Sequence, residues 1–338
     1  MSANNLVFKE LLSRGYSIDT GIKTWDLADS KLWYSTPKQA QMFLELEKDE
    51  NYKRSVVDKE MSLIEECFPS IAENMPFSSC NLVDLGCGNG KKAIFFAERL
   101  SRRMPVRYCP VDISGHMVRK AAKALRDLAI CPVCESEKNV FDFENFDAAA
   151  DHFRSSGFRN HFLMLLGNTF GNFENSVLHA IKKGMGPEDV LLIGNSLLSG
   201  KSEEEMTKPY KEKPNDDFLI KVVEQAGLKK GDVEHGVRFR NGRVEMFYRV
   251  KRNKKINKVG REISFSKGDI ILVGISYRHG RDAFRDRIRE SFPKFELFTD
   301  KKETYALALC QKKDRSAPAI VFGNNKSSRL DKVINVKL

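Results

Sequence analysis

The sequence predicts an α/β protein with a doubly wound, Rossmann-like sheet and a second, smaller α+β domain. Strand-like and helix-like segments alternate from residue 55 onward, which is typical of a parallel sheet. Several of the strand-like segments are almost continuously apolar, as expected for strands covered on both faces. A loop with three glycines follows the first of these strands. The region from residue 55 onward therefore predicts both the fold class and a candidate ligand-binding loop.

The alternation can be followed element by element. Apolar residues at helical spacing predict a helix over residues 55 to 68, and NLVDLG predicts the first strand from residue 81. Ser114 is a candidate N-cap for a helix whose apolar face holds Met117, Ala121, Leu125 and Leu128. The other predicted elements are a helix in KKAIFFAERLSRR, a strand in RYCPVDIS, a strand in HFLMLLG, a helix in SVLHAIKKGM and a strand in DVLLIGNSL.

The C-terminal part closes this sheet. DAFRDRIRESF predicts a helix with Ala283, Phe284, Ile288 and Phe292 on one face, and KFELF and TYALALC predict a final hairpin. The first domain is therefore assigned to residues 55–199 with 277–315.

Two stretches do not follow the βα alternation, namely residues 1–54 and 200–276, and we assign them together to a substrate-binding cap domain. Within the second stretch, RVEMFYRV and DIILVGIS alternate with a period of about two, which predicts an antiparallel pair. Residues 316–338 are assigned to a basic tail.

Composition limits the classes of protein. Of the 338 residues, 41% are hydrophobic and 30% are charged, which is ordinary for a globular chain. No apolar run is long enough for a membrane helix and no secretory signal is recognisable, so a cytoplasmic location is expected. Cys131 and Cys134 have CxxC spacing without a second pair, and we therefore expect no metal. A monomer is expected.

The net charge of +11 leaves two interpretations of the basic segment from Lys251 to Arg261, which has six basic residues and no acid. It is either a solvated hairpin loop or a surface that follows phosphates.

The glycine loop NLVDLGCGNGKK discriminates between three ligands. A triphosphate loop requires GxxxxGK followed by Ser or Thr, and a dinucleotide loop requires GxGxxG, whereas here Gly86, Gly88 and Gly90 lie two residues apart. The remaining interpretation is the GxGxG loop of class I S-adenosylmethionine-dependent methyltransferases. Asp84 would accept from the ammonium group of S-adenosylmethionine, and Asp112, followed by Ile113, would bind its ribose.

Over residues 33 to 310 the chain resembles the histidine-specific methyltransferase family of the ergothioneine pathway, which includes a fungal enzyme that methylates the amino group of a prenylated tryptophan. The resemblance rests on WYSTPKQAQMFLELEKDENY, YCPVDIS, VFDFE, LLGNTFGNF, RVEMFYRV and FSKGDIILVGISYR. It implies cofactor contacts for Lys92, Asp142, Phe143, Gly167 and Asn168. It implies acceptor contacts, some of them catalytic, for Tyr34, Phe43, Tyr52, Asn172, Tyr210, Met246, Gly274 and Ser276.

One position departs from the family pattern. The histidine enzymes carry a glutamate two residues before the serine of the closing strand, and here this position is Gly274 in VGIS. Glycine cannot hydrogen-bond an imidazole, and we expect it to leave room for a larger acceptor. Histidine is therefore not the expected substrate.

The resulting hypothesis is an N-methyltransferase that acts on the amino group of an amino acid or of an amino-acid-derived small molecule. Tyr34, Tyr52 and Asn172 are the candidates for orienting the amine. The alternative is an RNA or protein methyltransferase that uses the basic surface, and a catalytically silent binding module is a third hypothesis.

Overall fold

A computed structural model describes residues 5–312 except residues 51–52, 174–175, 199 and 201. Tyr52 and the predicted basic tail at 316–338 lie outside the described residues. The strands in chain order are β1 Tyr16–Asp19, β2 Ile22–Asp26, β3 Cys80–Leu85, β4 Val106–Val111, β5 Asn160–Leu165, β6 Val190–Ser196, β7 Val233–Arg240, β8 Arg243–Val250, β9 Lys254–Lys258, β10 Arg261–Phe265, β11 Ile270–Tyr277, β12 Phe295–Thr299 and β13 Tyr305–Gln311.

The α-helices are numbered in the same way. They are α1 Leu6–Arg14, α2 Pro37–Leu46, α3 Asp58–Glu73, α4 Lys91–Leu100, α5 Gly115–Leu128, α6 Phe146–Ala149, α7 Ser176–Gly184, α8 Glu203–Lys211, α9 Lys213–Ala226 and α10 Arg281–Ser291. Among the described residues, no helix is long and apolar enough to cross a bilayer.

The larger sheet has six strands in the order β12-β13-β6-β5-β3-β4. Strand β3 pairs in parallel with both β4 and β5, and β5 pairs in parallel with β6. The C-terminal hairpin adds antiparallel β13 beside β6. Leu82 and Val83 belong to apolar clusters on opposite faces, so the sheet is covered on both sides. The predicted doubly wound α/β sheet is confirmed.

The strand order reverses at β3, because β4 lies on one side of it and β5 on the other. Ligands of open α/β sheets bind outside the carboxyl ends of the strands at such a switch point. The glycine loop follows β3 directly, so the fold places it there.

The smaller sheet has five strands in the order β1-β2-β11-β8-β7. Strand β8 pairs antiparallel with β11, as the alternation in RVEMFYRV and DIILVGIS predicted. Strands β1 and β2 join it from the N-terminal stretch, so residues from both predicted cap ranges form one sheet. The boundaries of the domains stay a prediction.

The segment between β8 and β11 differs from a simple basic loop. It contains the hairpin β9-β10, whose Ile256 and Ile263 pack into the core of the smaller sheet.

Two positions predicted on the apolar faces of helices are exposed, namely Leu128 and Ala283. Leu128 is the last residue of α5, and Ala283 lies in the first turn of α10.

Candidate cofactor and acceptor site

A cavity of about 640 Å³ lies at the carboxyl ends of β3, β4 and β5. This volume is within the range of roughly 300 to 1,000 Å³ typical of small-molecule sites. The residues predicted from the sequence that line it are Tyr34, Phe43, Asp84, Gly86, Gly88, Lys92, Asp112, Ile113, Asp142, Phe143, Gly167 and Asn172.

The glycine loop forms the floor of the cavity. Gly88 has a φ of +51°, and a Cβ placed on it would meet no atom within 4 Å, so its backbone faces open space. Gly90 does not line the cavity. Its φ is +76°, and an added Cβ would lie 3.2 Å from the backbone of Ala121, so this glycine allows α4 and α5 to pack closely.

Two buried carboxylates stand at the ends of adjacent strands. Burial raises the pKa of Asp84 to about 6, although its Oδ2 accepts a hydrogen bond of 3.1 Å from the Tyr108 hydroxyl. Burial also raises the pKa of Asp112 to about 7, although the backbone amide of Ser114 donates to its Oδ1 at 2.9 Å. Both carboxylates line the cavity and are placed to accept hydrogen bonds from ligand donors.

The predicted adenine-binding turn is held from the N-terminal side of the chain. Lys31 Nζ lies 2.8 Å from Asp142 Oδ2 and 3.1 Å from Glu144 Oε2. Phe143 is buried and packs edge-on against Phe173 at a centroid distance of 5.1 Å. Lys31 therefore connects the segment before α2 to the cofactor side of the cavity.

The signature loop LLGNTFGNF supplies the next wall. Gly167 and Asn168 both adopt positive φ, at +75° and +61°, and a short 3₁₀ turn covers Thr169–Asn172. Asn168 does not line the cavity, and its Oδ1 instead accepts from the backbone amide of Ser196 at 2.6 Å. Asn168 shapes the loop, and Asn172 at the loop's end faces the cavity.

Part of the cavity wall is aromatic. Tyr34 and Phe43 are in edge contact at 5.3 Å, and Phe218 packs behind both rings. Tyr34 and Phe43 belong to the N-terminal segment, so this segment and α2 cover the cavity. Such a wall suits the less polar part of a small acceptor.

Four predicted acceptor residues lie outside the cavity lining, namely Tyr210, Met246, Gly274 and Ser276. The hydroxyl of Tyr210 lies 3.3 Å from Ser276 Oγ and accepts a hydrogen bond from Arg278. This polar cluster lies behind the signature loop, because a Cβ on Gly171 would be 3.7 Å from Ser276 Oγ.

The expectation that Gly274 leaves space for a larger acceptor is wrong. A Cβ on Gly274 would lie 2.8 Å from both Met246 Cε and Trp33 Cζ2. The indole of Trp33 is fixed there by a hydrogen bond of 2.7 Å from Nε1 to the Val273 carbonyl. The glycine makes room for this packing of Trp33 and Met246.

The charged residues of the site that the sequence did not single out include Lys31, Glu47 and Glu60. Lys31 and Glu47 line the cavity, and burial raises the pKa of Glu47. Glu60 is fully buried behind it. The available signal was helical spacing, since Glu60 shares a face of α3 with Leu63 and Ile64 and breaks an otherwise apolar stripe.

His279, which follows β11, does not line the cavity. Burial and the nearby cations Arg287 and Arg278 lower the pKa of His279 to about 4. Its Nε2 lies 2.7 Å from Arg287 Nη1, and its ring stacks on Tyr277. His279 is neutral and has a structural role.

The parallel sheet, the glycine loop after β3 and the acid at the end of β4 together define a class I S-adenosylmethionine-dependent methyltransferase. The buried acceptor Asp112 and the bare backbone at Gly88 fit S-adenosylmethionine as the cofactor. The family model "Histidine-specific methyltransferase, SAM-dependent" matches residues 29–312. The chain belongs to this family, and the predicted resemblance is confirmed.

No curated protein matches the sequence. A methyltransferase structure from Clostridium acetobutylicum has a TM-score of 0.41 and 13% identity, covering 80% of this chain and 98% of that one. An amino pentose methyltransferase from Micromonospora echinaspora has a TM-score of 0.35 and 12% identity, covering 75% of this chain and 92% of that one. At scores this low, the likeness carries no information about the substrate.

Proposed function

We propose that this methyltransferase transfers a methyl group to the α-amino nitrogen of an amino acid, or of a small molecule derived from one, other than histidine. The observation that carries the proposal is the composition of the cavity. Beside the buried carboxylates Asp84 and Asp112 and several lysines, its lining includes the neutral side chains of Tyr34, Phe43 and Asn172. Neutral side chains next to an amine do not stabilise its protonated form, and only the unprotonated amine can accept a methyl group.

The cluster behind the signature loop supports a carboxylate on the acceptor. Among the described residues, Arg278 Nη1 and Asn195 Oδ1 are buried side-chain atoms without a hydrogen-bond partner. Arg278 also donates to Tyr210, so it presents a fixed guanidinium next to two hydroxyl groups. Arginine is well suited to bind a carboxylate. Arg278, Tyr210 and Ser276 do not line the cavity, so an acceptor carboxylate reaches Arg278 only if the turn at Gly171 opens, with the α-amine near Asn172.

Gly274 supports the exclusion of histidine by a different route from the one first expected. It offers no carboxylate to an imidazole, and Trp33 and Met246 fill the space that a longer side chain would need. Glu245 on the neighbouring strand is also engaged, because Arg238 and Arg243 hold its two carboxylate oxygens at 2.7 and 2.8 Å.

Catalysis then rests on alignment. The cofactor supplies an electrophilic methyl group, and the protein's part is to orient the amine in line with it and to exclude water. We assign orientation of the amine to Asn172 and Tyr34, with Tyr52 as a further candidate. No side chain has to act as a strong base, since the amine can bind in its unprotonated form.

The basic segment gives little support to a nucleic-acid substrate. Arg252 and Lys254 are paired with the buried carboxylate of Asp232, and Lys255 lies 3.1 Å from Glu262. Lys258 Nζ donates to the Gln225 carbonyl at 2.8 Å. Four of the six basic residues of this segment therefore have partners within the protein.

The proposal is tested by incubating the protein with methyl-labelled S-adenosylmethionine and a panel of free amino acids, their decarboxylated amines, small RNAs and peptides. Label is expected in an amino acid and not in its decarboxylated amine. The Arg278→Met variant is expected to raise KM for that amino acid roughly tenfold or more, because charge-assisted hydrogen bonds are lost. Label in RNA, in peptides or preferentially in histidine would contradict the proposal.

A further inference from the structure

The side chain of Glu60 is fully buried in α3, directly behind the cofactor wall of the cavity. An isolated carboxylate in such a place is strongly destabilising unless charged or hydrogen-bonding partners surround it. The groups that contact Glu60 therefore indicate the role of its carboxylate.

Three groups from three different elements converge on Glu60. Its Oε1 accepts hydrogen bonds from the Gly167 backbone amide at 2.7 Å and from the Tyr305 hydroxyl at 2.5 Å. Its Oε2 lies 2.8 Å from Lys92 Nζ. The carboxylate thus joins the signature loop, strand β13 and the first turn of α4.

The sheet beneath is shaped to admit this carboxylate. A Cβ on Gly194 of β6 would lie 2.5 Å from Glu60 Oε1 and 3.0 Å from the Tyr305 hydroxyl. Any larger residue at this position would displace the carboxylate. The pocket for Glu60 is therefore a built feature of the fold.

Lys92 is the member of this group that reaches the cavity. Its side chain is 21% exposed and lines the cavity, whereas that of Glu60 is 0% exposed. Burial alone would lower the pKa of Lys92, but Glu60, Glu47 and Asp84 together raise it, so the ammonium group stays charged. An added Cβ on Gly167 would lie 2.6 Å from Lys92 Nζ, so this ammonium is confined between Glu60 and the loop.

We propose that Glu60 is a positioning residue that fixes the Lys92 ammonium and the Gly167 loop as the binding site for the carboxylate of the cofactor's methionyl group. Near Lys92 the cavity lining contains the acids Asp84 and Glu47, which attract the cofactor's ammonium but repel its carboxylate. One fixed cation between them makes the wall complementary to both ends of an amino acid. This role of Glu60 concerns the binding of the cofactor and does not depend on which molecule accepts the methyl group.

Binding calorimetry with two ligands tests the proposal. S-adenosylhomocysteine carries the amino-acid group, and 5′-methylthioadenosine shares the adenosine and sulfur but lacks that group. In Glu60→Gln, we expect the Kd for S-adenosylhomocysteine to rise roughly tenfold or more, as for loss of a charge-assisted contact. The Kd for 5′-methylthioadenosine should stay within about twofold. Because Glu60 acts through Lys92, Glu60→Gln in a Lys92→Met background should add little further loss.

A purely structural role would give a different pattern. If both ligands weaken equally in Glu60→Gln, or if the Kd for S-adenosylhomocysteine does not change, the proposal is overturned. Tyr305→Phe removes one hydroxyl partner of Glu60 and keeps the ring, and we expect a smaller loss, again confined to S-adenosylhomocysteine. Should Glu60→Gln fail to fold by circular dichroism, Tyr305→Phe and Lys92→Met decide by the same two-ligand comparison.

Discussion

The two halves of the cavity are built in different ways. The proposed cofactor half includes the loops that follow β3, β4 and β5, where Gly86, Gly88, Asp112 and Gly167 each lie next to the strand that positions them. The proposed acceptor half combines the segment around Tyr34, helix α2 with Phe43, and Asn172 of the signature loop. Tyr34 and Phe43 are distant from Asn172 in sequence, and they meet it only in the folded chain. The cofactor half is therefore a local property of the chain, and the acceptor half is a tertiary property.

The largest effect is expected from removing the ribose acceptor in the cofactor half. In Asp112→Ala, the affinity for S-adenosylhomocysteine should fall roughly 100-fold or more, because hydrogen bonds to a charged acceptor contribute about 1.5–3 kcal/mol each. Calorimetry measures this effect. Asp127→Ala is the matched control, since Asp127 is an exposed acid paired with Lys123 on α5. Unchanged binding in Asp112→Ala would contradict the assignment of the ribose site.

The pH dependence of cofactor binding should reveal the protonation of the two buried carboxylates in the cofactor half. Burial raises the pKa of Asp112 to about 7 and that of Asp84 to about 6. As the pH falls through these values, each carboxylate gains a proton and loses acceptor capacity, so the affinity for S-adenosylhomocysteine should decrease from pH 8 to pH 5.5. Calorimetry at several pH values measures this decrease, which Asp112→Asn should make shallower. A pH-independent affinity in the wild type would contradict this account.

A methyl group added at Gly274 probes the packing beside the acceptor half. Gly274→Ala should lower the free energy of unfolding by about 1–3 kcal/mol, the usual cost of overpacking, because the new Cβ would meet Met246 and Trp33. The midpoint of thermal unfolding measures it. Gly231→Ala is the control, since a Cβ there meets no atom within 4 Å. Equal stability of the two variants would contradict this packing and would indicate open space at Gly274.

The smallest effect is expected where the two halves are joined. Lys31 pairs with Asp142 and Glu144, but its side chain is 34% exposed, and such pairs contribute about 1 kcal/mol at most. Lys31→Met should therefore weaken S-adenosylhomocysteine binding only a few-fold at low salt and less at high salt. Lys38→Met, at an exposed position of α2, is the control. A loss that does not depend on salt would indicate a direct contact of Lys31 with the cofactor.

These differences explain what could be predicted from the sequence. Gly86, Gly88 and Asp112 were identified because their role follows from their position after a buried strand. Gly274 was misjudged because its neighbours, Trp33 and Met246, lie on separate segments of the chain. Glu60 was missed because a single acid in an apolar helical stripe has meaning only once Lys92, Gly167 and Tyr305 are seen around it. The cytoplasmic location and the monomeric state stay predictions.

The position of the methyl group in the product decides most directly whether the proposed function is right. Tandem mass spectrometry of the labelled product formed by the wild-type protein locates it. We expect the methyl group on the α-amino nitrogen of a carboxylate-bearing small molecule. A methyl group on an imidazole ring, a nucleobase or a peptide side chain would contradict it.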